Sequence, residues 1–165
     1  QTRAQSINSK GFAVGRMGFW GRAVYFFHRY PDGKVNAYKW YLCAYEQGRY
    51  NQKKENVSCV IIHATMVVAD EEYFDVTNER VIELYNKLEQ TLLGRRSYTD
   101  DQKNRIRDQW LREYERQQRT RIRVFNAPIP LNRKFFKPVK RTQCIIVRDV
   151  SCISRPYTME PCNEN

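Results

Sequence analysis

Nearly all of the excess positive charge of this 165-residue chain lies in one segment. Residues 95–141 contain 15 Lys and Arg against 5 Asp and Glu, whereas the rest of the chain contains 14 basic and 13 acidic residues. Such a block suits a polyanion, an anionic surface or an acidic protein. The alternative is a solvated helix face without a partner. Strand-like runs flank the segment, which is therefore predicted to be a basic insert in one domain.

Hydrophobic periodicity predicts the elements of this domain. Short β-branched or aromatic runs predict strands at residues 23–27, 57–69, 123–125 and 143–148. Helical spacing and a Thr-x-x-Gln capping box predict helices at residues 35–45, 78–93 and 99–121. Prolines predict an extended loop over residues 127–138, and the polar tail from residue 154 is predicted to be frayed. The fold class is therefore α+β, a single domain over residues 1–165 with a basic helical insertion at about 78–125.

Composition excludes several classes of protein. Hydrophobic residues make up 41% and aromatic residues 13% of the chain, which is too much for a disordered protein. No window of 18 apolar residues predicts a transmembrane helix, and no signal peptide is visible. The five cysteines include no C-x-x-C pair, which argues against a zinc site and predicts free thiols in the cytosol. His28 and His63 are each expected to be structural.

A glycine-rich block directly precedes the first predicted strand. The run GFWGRAVYFF at residues 18–27 places Tyr25 on a strand just after glycines that let the backbone approach a ligand. A planar ligand could stack on this tyrosine. The alternative is a core strand that follows a tight turn. The chain contains no G-x-S-x-G, Walker A or G-x-G-x-x-G motif.

These residues belong to a longer pattern. Ala4-x-x-Ile7-x-x-x-Gly11-Phe12, followed by Gly21-x-x-Val24-Tyr25-Phe26, resembles the ADP-ribosyltransferase family in its diphtheria-toxin and PARP-like branch, which has a His–Tyr–Glu triad. The run QCIIV at residues 143–147 resembles the strand that bears the third triad residue. The resemblance implies a split antiparallel β-sheet. It also implies a first strand with a His-Gly pair, which would precede Gln1.

The same resemblance implies NAD⁺ as the cosubstrate, without a metal. The catalytic residues that it implies are Tyr25 and Gln143, which are expected to share one cleft. The cofactor-binding residues that it implies are Gly21, Tyr25, Phe26 and Tyr38, with Trp40 and Tyr41 as alternatives to Tyr38. Glutamine at position 143 can bind a ribose hydroxyl but cannot act as a base, so single ADP-ribose transfer is expected rather than chain growth.

The expected function is that of a cytoplasmic mono-ADP-ribosyltransferase, a toxin or anti-phage defence effector. Its acceptor is expected to be a nucleic acid, RNA before protein, because the basic segment also contains aromatic residues. The acceptor-binding residues expected on its helix are Arg112, Arg116 and Arg119. An antitoxin or other inhibitor protein is a further expected partner. The alternative is a non-catalytic basic module that binds nucleic acid or protein and has lost the first-strand histidine.

Overall fold

The structure, a computed structural model, describes residues 3–15, 17–28, 32–48, 59–94, 97–130 and 141–162. Four helices lie in these ranges: α1 (Arg3–Lys10), α2 (Gly33–Glu46), α3 (Glu79–Gly94) and α4 (Asp100–Gln118). The strands in the same ranges are β1 (Met17–Gly18), β2 (Gly21–Arg22), β3 (Val24–Phe27), β4 (Val60–Met66), β5 (Tyr73–Asp75), β6 (Val124–Pro130), β7 (Arg141–Val147) and β8 (Ile153–Pro161). The α+β class predicted from the sequence is confirmed.

The main sheet has the strand order β3-β7-β6-β5. Its pairs are antiparallel except for β5 and β6, which run parallel. Strands β4 and β8 form a separate antiparallel pair, and β1 and β2 form a short hairpin before β3. The strands predicted at the two ends of the chain, β3 and β7, are therefore hydrogen-bonded neighbours.

Prolines were expected to make residues 127–138 an extended loop, and this prediction is wrong for residues 127–130. Strand β6 continues through Pro128 to Pro130. The amide of Val76 donates to the Asn126 carbonyl, so even-numbered residues of β6 direct their backbone groups toward β5. In the register of the described residues β5 ends opposite Asn126, so the missing N–H groups of the prolines face a side without a paired strand. Residues 131–138 of the predicted loop lie outside the described residues.

The C-terminal tail was expected to be frayed, but residues 153–161 form β8. Tyr157 of this strand is buried and anchors the segment in the second core cluster, whose buried members are Val124, Val147, Cys152, Ile153 and Tyr157. Just beyond the β4–β8 pair, Cys59 and Cys162 are joined in a disulfide. The expectation of five free thiols is therefore wrong for this pair, whose cysteines are brought together by a pairing of strands that no local pattern revealed. Cys43, Cys144 and Cys152 are buried thiols outside this disulfide.

Hydrophobic side chains cover both faces of the main sheet. On one face, Phe125 and Ile146 pack with Trp20 and with α3 and α4 residues such as Tyr85 and Leu111. On the other face, a second set packs with the β4–β8 pair and with α1 residue Ile7: Val24, Phe26, Val124, Ile145 and Val147. Neighbouring residues of a strand thus enter different clusters, because side chains alternate across a sheet.

The helix predictions hold closely. The Thr99 side chain accepts from the Gln102 amide (3.2 Å), and the Gln102 side chain accepts from the Thr99 amide (2.8 Å), which completes the predicted capping box of α4. Helix α4 ends at Gln118, three residues before the predicted end. There Arg119 adopts a left-handed conformation with φ of 52°.

Candidate functional site

Tyr25 holds in place the glycine-rich turn, residues 18–21, which joins β1 to β2. Its hydroxyl accepts from the Trp20 amide (2.9 Å) and donates to the Gly21 carbonyl (3.2 Å). The ring packs against the core cluster that contains Trp20, and burial raises the pKa of this phenol to about 12. Both hydrogen-bonding functions of the hydroxyl are therefore used by the turn itself. Gly21 has φ of +86°, and a Cβ there would lie 3.0 Å from Asp108 Cγ of α4.

Gln143 lies on the opposite face of the sheet from Tyr25. Tyr25 pairs with Ile146 across β3 and β7, so the glutamine is displaced from it by three positions along β7. An odd displacement reverses the face, since side chains alternate along a strand. Gln143 is exposed and pairs with Pro128 on β6. The prediction that these two side chains share one cleft is wrong.

The predicted aromatic cofactor residues are also divided between different surfaces. Phe26 contacts Phe12 edge to face, with ring centroids 5.1 Å apart, and belongs to the second core cluster. Tyr38 stacks on Tyr41 with centroids 6.3 Å apart. The ring centroid of Trp40, by contrast, lies 6.4 Å from that of Phe27, and the Phe27 side chain is on the same sheet face as Tyr25. Of the three residues considered for a second stacking position, Trp40 thus has a ring contact with that face.

A row of polar side chains crosses the main sheet on the face of Gln143. His28 Nε2 lies 3.0 Å from Asn126 Oδ1. The Asn126 amide nitrogen donates to both carboxylate oxygens of Asp75 at 3.3 Å. Asp75 also accepts from the amide (2.8 Å) and hydroxyl (2.6 Å) of Thr77. These contacts join the end of β3 to β5 across the two strands between them.

The electrostatics of the row favour an ionised Asp75. Burial by itself would raise the pKa of this carboxyl group. The hydrogen bonds from Thr77 and Asn126, together with the nearby His28, outweigh burial and lower the pKa. Asn126 is buried in a strand whose neighbours are mostly apolar. That interruption of an apolar run was a signal available in the sequence, although the sequence alone does not reveal its partners.

A second polar group lies on the β4–β8 pair. Glu160 Oε1 is 3.1 Å from both Lys34 Nζ and His63 Nε2. Lys34 first and then His63 lower the pKa of this carboxyl group. No local pattern in the sequence connects Glu160 with Lys34, because they lie on distant segments of the chain. All three side chains are at least one-third exposed, so the cluster is a surface network.

The predicted acceptor-binding arginines have different surroundings. Arg112 borders a cavity of about 440 Å³ between β2, α4 and the turn after β7. The charged residues that line this cavity are Arg22, Asp108, Arg112, Glu115, Arg121, Arg148 and Asp149. Arg116 instead pairs with Glu113 (2.6 Å), an interaction that lowers the pKa of the glutamate to about 2. Neither Arg116 nor Arg119 lines the cavity, so the structure brings only Arg112 to it.

The carboxylates of the cavity orient its arginines. Asp108 accepts from Arg112 Nε (2.9 Å), and Glu115 accepts from Arg148 Nη1 (2.7 Å). Guanidinium groups oriented by such hydrogen bonds are pre-organised to bind phosphate. Arg22 also lines the cavity and has no ion pair within the described ranges. Because Arg22 immediately follows Gly21, the cavity places α4 beside the glycine-rich turn.

Comparisons with protein-family models, curated proteins and solved structures return no match. Within the described ranges, no helix has the length and apolarity needed to cross a bilayer. The same residues include no cluster of three or more His, Cys, Asp or Glu side chains suited to a metal ion.

Proposed function

We propose that this chain is a NAD⁺-dependent mono-ADP-ribosyltransferase that modifies a macromolecular acceptor as a toxin or anti-phage defence effector. The observation that carries the proposal is the pairing of β3 with β7. These strands bear the two motifs that resemble the family, and they lie at opposite ends of the chain. A split arrangement of two sheets, with the helices between β5 and β6, is compatible with the proposed ADP-ribosyltransferase fold.

The reaction requires little covalent chemistry from the protein. Nicotinamide is a neutral leaving group once its bond to the ribose breaks, and the ribose then becomes an oxocarbenium-like cation. Catalysis therefore depends on holding the ribose and excluding water. In this proposal Gln143 binds a ribose hydroxyl on its own face of the sheet. Tyr25 supports the reaction indirectly by fixing the glycine-rich turn, because its hydroxyl is already bonded there.

Labelled NAD⁺ tests the activity directly. The purified full-length protein is incubated with cell lysate, and the label is followed into RNA, DNA and protein. We expect Gln143→Ala to lower transfer about 10- to 100-fold, since a hydrogen bond to a charged group contributes about 1.5–3 kcal/mol. Gln90→Ala, at an exposed position on α3, is the control and should retain transfer. Absence of label in every fraction with the folded wild-type protein would contradict the proposed activity.

The acceptor proposed for the cavity is single-stranded nucleic acid. RNA is favoured over protein as this acceptor. Arg112→Glu should weaken binding of a purified oligonucleotide by about 10-fold or more, because it removes a charge-assisted contact to phosphate. Arg105→Glu is a matched control on the same helix. Arg112 and Arg105 each pair with an aspartate four residues earlier, yet only Arg112 lines the cavity.

Fluorescence anisotropy over a series of salt concentrations measures this difference. Binding by the wild-type protein should weaken with salt, with a log–log slope of about −0.7 per neutralised phosphate. The Arg112→Glu protein should show a shallower slope, and the Arg105→Glu protein should resemble wild type. Equal losses of oligonucleotide affinity in the two variants would mean that net charge alone determines binding. If the wild-type protein did not bind the oligonucleotide at low salt, single-stranded nucleic acid would be rejected as the ligand of the cavity.

The arginine-lined cavity also supports a second function, that of a non-catalytic module which binds nucleic acid or protein. Such a module would bind the oligonucleotide in the anisotropy assay but transfer no label from NAD⁺. An antitoxin or inhibitor protein with an acidic surface would suit the same cavity. For the transferase we propose a cytoplasmic site of action, where NAD⁺ is abundant. The reduced thiols of Cys144 and Cys152 agree with this compartment, whereas the Cys59–Cys162 disulfide is typical of oxidising ones.

A further inference from the structure

The polar row on the Gln143 face determines which nitrogen of His28 carries a proton. A carboxylate only accepts hydrogen bonds, so the Asn126 group that meets Asp75 at 3.3 Å is its NH₂. The Asn126 oxygen therefore faces His28. Because that oxygen can only accept, the Nε2 atom of His28 must donate at 3.0 Å. In the neutral imidazole the lone pair is then on the Nδ1 atom.

The position of His28 places this imidazole beside Gln143. The last paired residues of β3 and β7 are Phe27 and Cys144, and His28 and Gln143 are the next residues outward. Both belong to the sheet face that includes Asn126. Helix α2 begins close to the same point, where a Cβ on Gly33 would lie 2.8 Å from the His28 carbonyl carbon. The backbone of His28 is thus held between a strand and a helix.

The energetics of the row favour a functional role. Asn126 and its partners interrupt a sheet face that is otherwise packed by residues such as Val124 and Ile145. Burying a polar group in such a layer costs free energy unless every partner is present. Asp75 and Thr77 meet this requirement for one end of the row. The outcome is an imidazole oriented through a buried amide by an ionised carboxylate, which is an arrangement suited to general base catalysis.

We propose that His28 is the general base for the acceptor and that Asn126 and Asp75 are positioning residues. The proposal rests on the proposed transferase function. In the step, a lone pair of the acceptor oxygen or nitrogen attacks the anomeric carbon of NAD⁺. The carbon–nitrogen bond to nicotinamide breaks, and its electron pair remains on the departing nicotinamide. The acceptor proton passes to Nδ1 of His28, and the resulting imidazolium returns it to water.

This role specifies the chemistry of the acceptor. A base is useful only where the attacking group still carries its proton at neutral pH. The acceptor atom is therefore a hydroxyl oxygen or a nitrogen with an N–H bond, rather than a phosphate or carboxylate oxygen, which is already ionised. Gln143 cannot take the proton, because its side chain is not basic. The glutamine and His28 thus divide ribose binding and proton transfer between neighbouring strands.

Nuclear magnetic resonance tests the arrangement without any substrate. Long-range ¹H–¹⁵N correlations in the wild-type protein, assigned with His28→Gln, should show the neutral ring protonated at Nε2. A ring protonated at Nδ1 would overturn the proposal, because the basic nitrogen would then be Nε2, which faces Asn126 and not the acceptor. This measurement does not depend on transferase activity.

Kinetics test the role in catalysis. His28→Ala should lower acceptor transfer about 10²–10⁴-fold, the usual contribution of a general base. Added imidazole should restore part of the lost rate. His28→Gln keeps a donor for Asn126 and should fold normally yet remain impaired. His63→Gln is the matched control, since this histidine contacts Glu160 on the other pair of strands, and it should retain full transfer.

A double-mutant comparison tests the positioning residue. Asn126→Leu should lower kcat with little change in KM for NAD⁺, and it should add no further loss in the His28→Ala background. Undiminished transfer by His28→Gln, or an additive loss from Asn126→Leu, would overturn the base role alone. If the folded wild-type protein transfers no label to any acceptor, the proposed function fails and the base role fails with it.

Discussion

Replacing Arg107 with methionine is expected to lower the free energy of unfolding by about 3–5 kcal/mol, because it breaks a buried ion pair and removes two hydrogen bonds from the Glu89 carboxylate. Arg107 Nε and Nη2 donate to the two oxygens of Glu89 at 2.7 and 3.3 Å. Each residue is only 5% exposed. The guanidinium also lies 3.7 Å from the centre of the Phe19 ring, so the pair joins α3 and α4 to the glycine-rich turn.

Urea denaturation followed by circular dichroism measures this effect. Arg105→Met is the control, since Arg105 forms an exposed ion pair on the same helix and its loss should cost less than about 1 kcal/mol. The double variant Glu89→Leu/Arg107→Met should recover much of the lost stability, because it removes both buried charges. If the single Arg107→Met variant cost no more than the control, the ion pair would not be the link between the two helices.

Trp20→Ala is expected to cost about 3–5 kcal/mol, the usual range for removing a large aromatic side chain from a core. Trp20 is 0% exposed. Its ring centre lies 5.4 Å from that of Phe125 and 5.5 Å from that of Tyr85, so it touches both the main sheet and α3. The indole nitrogen donates to the Pro128 carbonyl (3.3 Å) on the side of β6 that β5 leaves unpaired. The substitution would leave a cavity and remove this hydrogen bond from the Pro128 carbonyl.

Trp40→Ala provides a control of the same residue type. Trp40 is 37% exposed and contacts Phe27 from α2. Its loss should cost about 1 kcal/mol, as is typical of single substitutions. Thermal unfolding of the two variants under one set of conditions gives the comparison. Similar losses for both would indicate that Trp20 is not the central residue of the core cluster between the sheet and the helices.

Local patterns were sufficient to predict most of the secondary structure. The alternation and β-branching of residues 143–147 predicted β7, and the capping box at Thr99 predicted the start of α4, because these signals act between residues close in sequence. The strand β8 was missed since its polar exposed positions are characteristic of a frayed end. Its strand conformation depends on pairing with β4, which is about 90 residues earlier.

The strands that bear the predicted site residues are confirmed as strands, whereas their expected common cleft is wrong. The sequence predicted Tyr25 and Gln143 as site residues, and the strands that bear them are neighbours. The register of that pair, which no local pattern reveals, places the two side chains on opposite faces. The same register brings His28 within hydrogen-bond distance of Asn126, and hence into one row with Asp75.

The sequence by itself determined the α+β class, the helices of the basic segment and the identity of the two motif-bearing strands. These follow from periodicity and capping, which are properties of a few adjacent residues. The tertiary structure alone decided which side chains meet. A shift of one residue in strand pairing moves every side chain to the other face, so the composition of a site built across a sheet depends on contacts between distant segments.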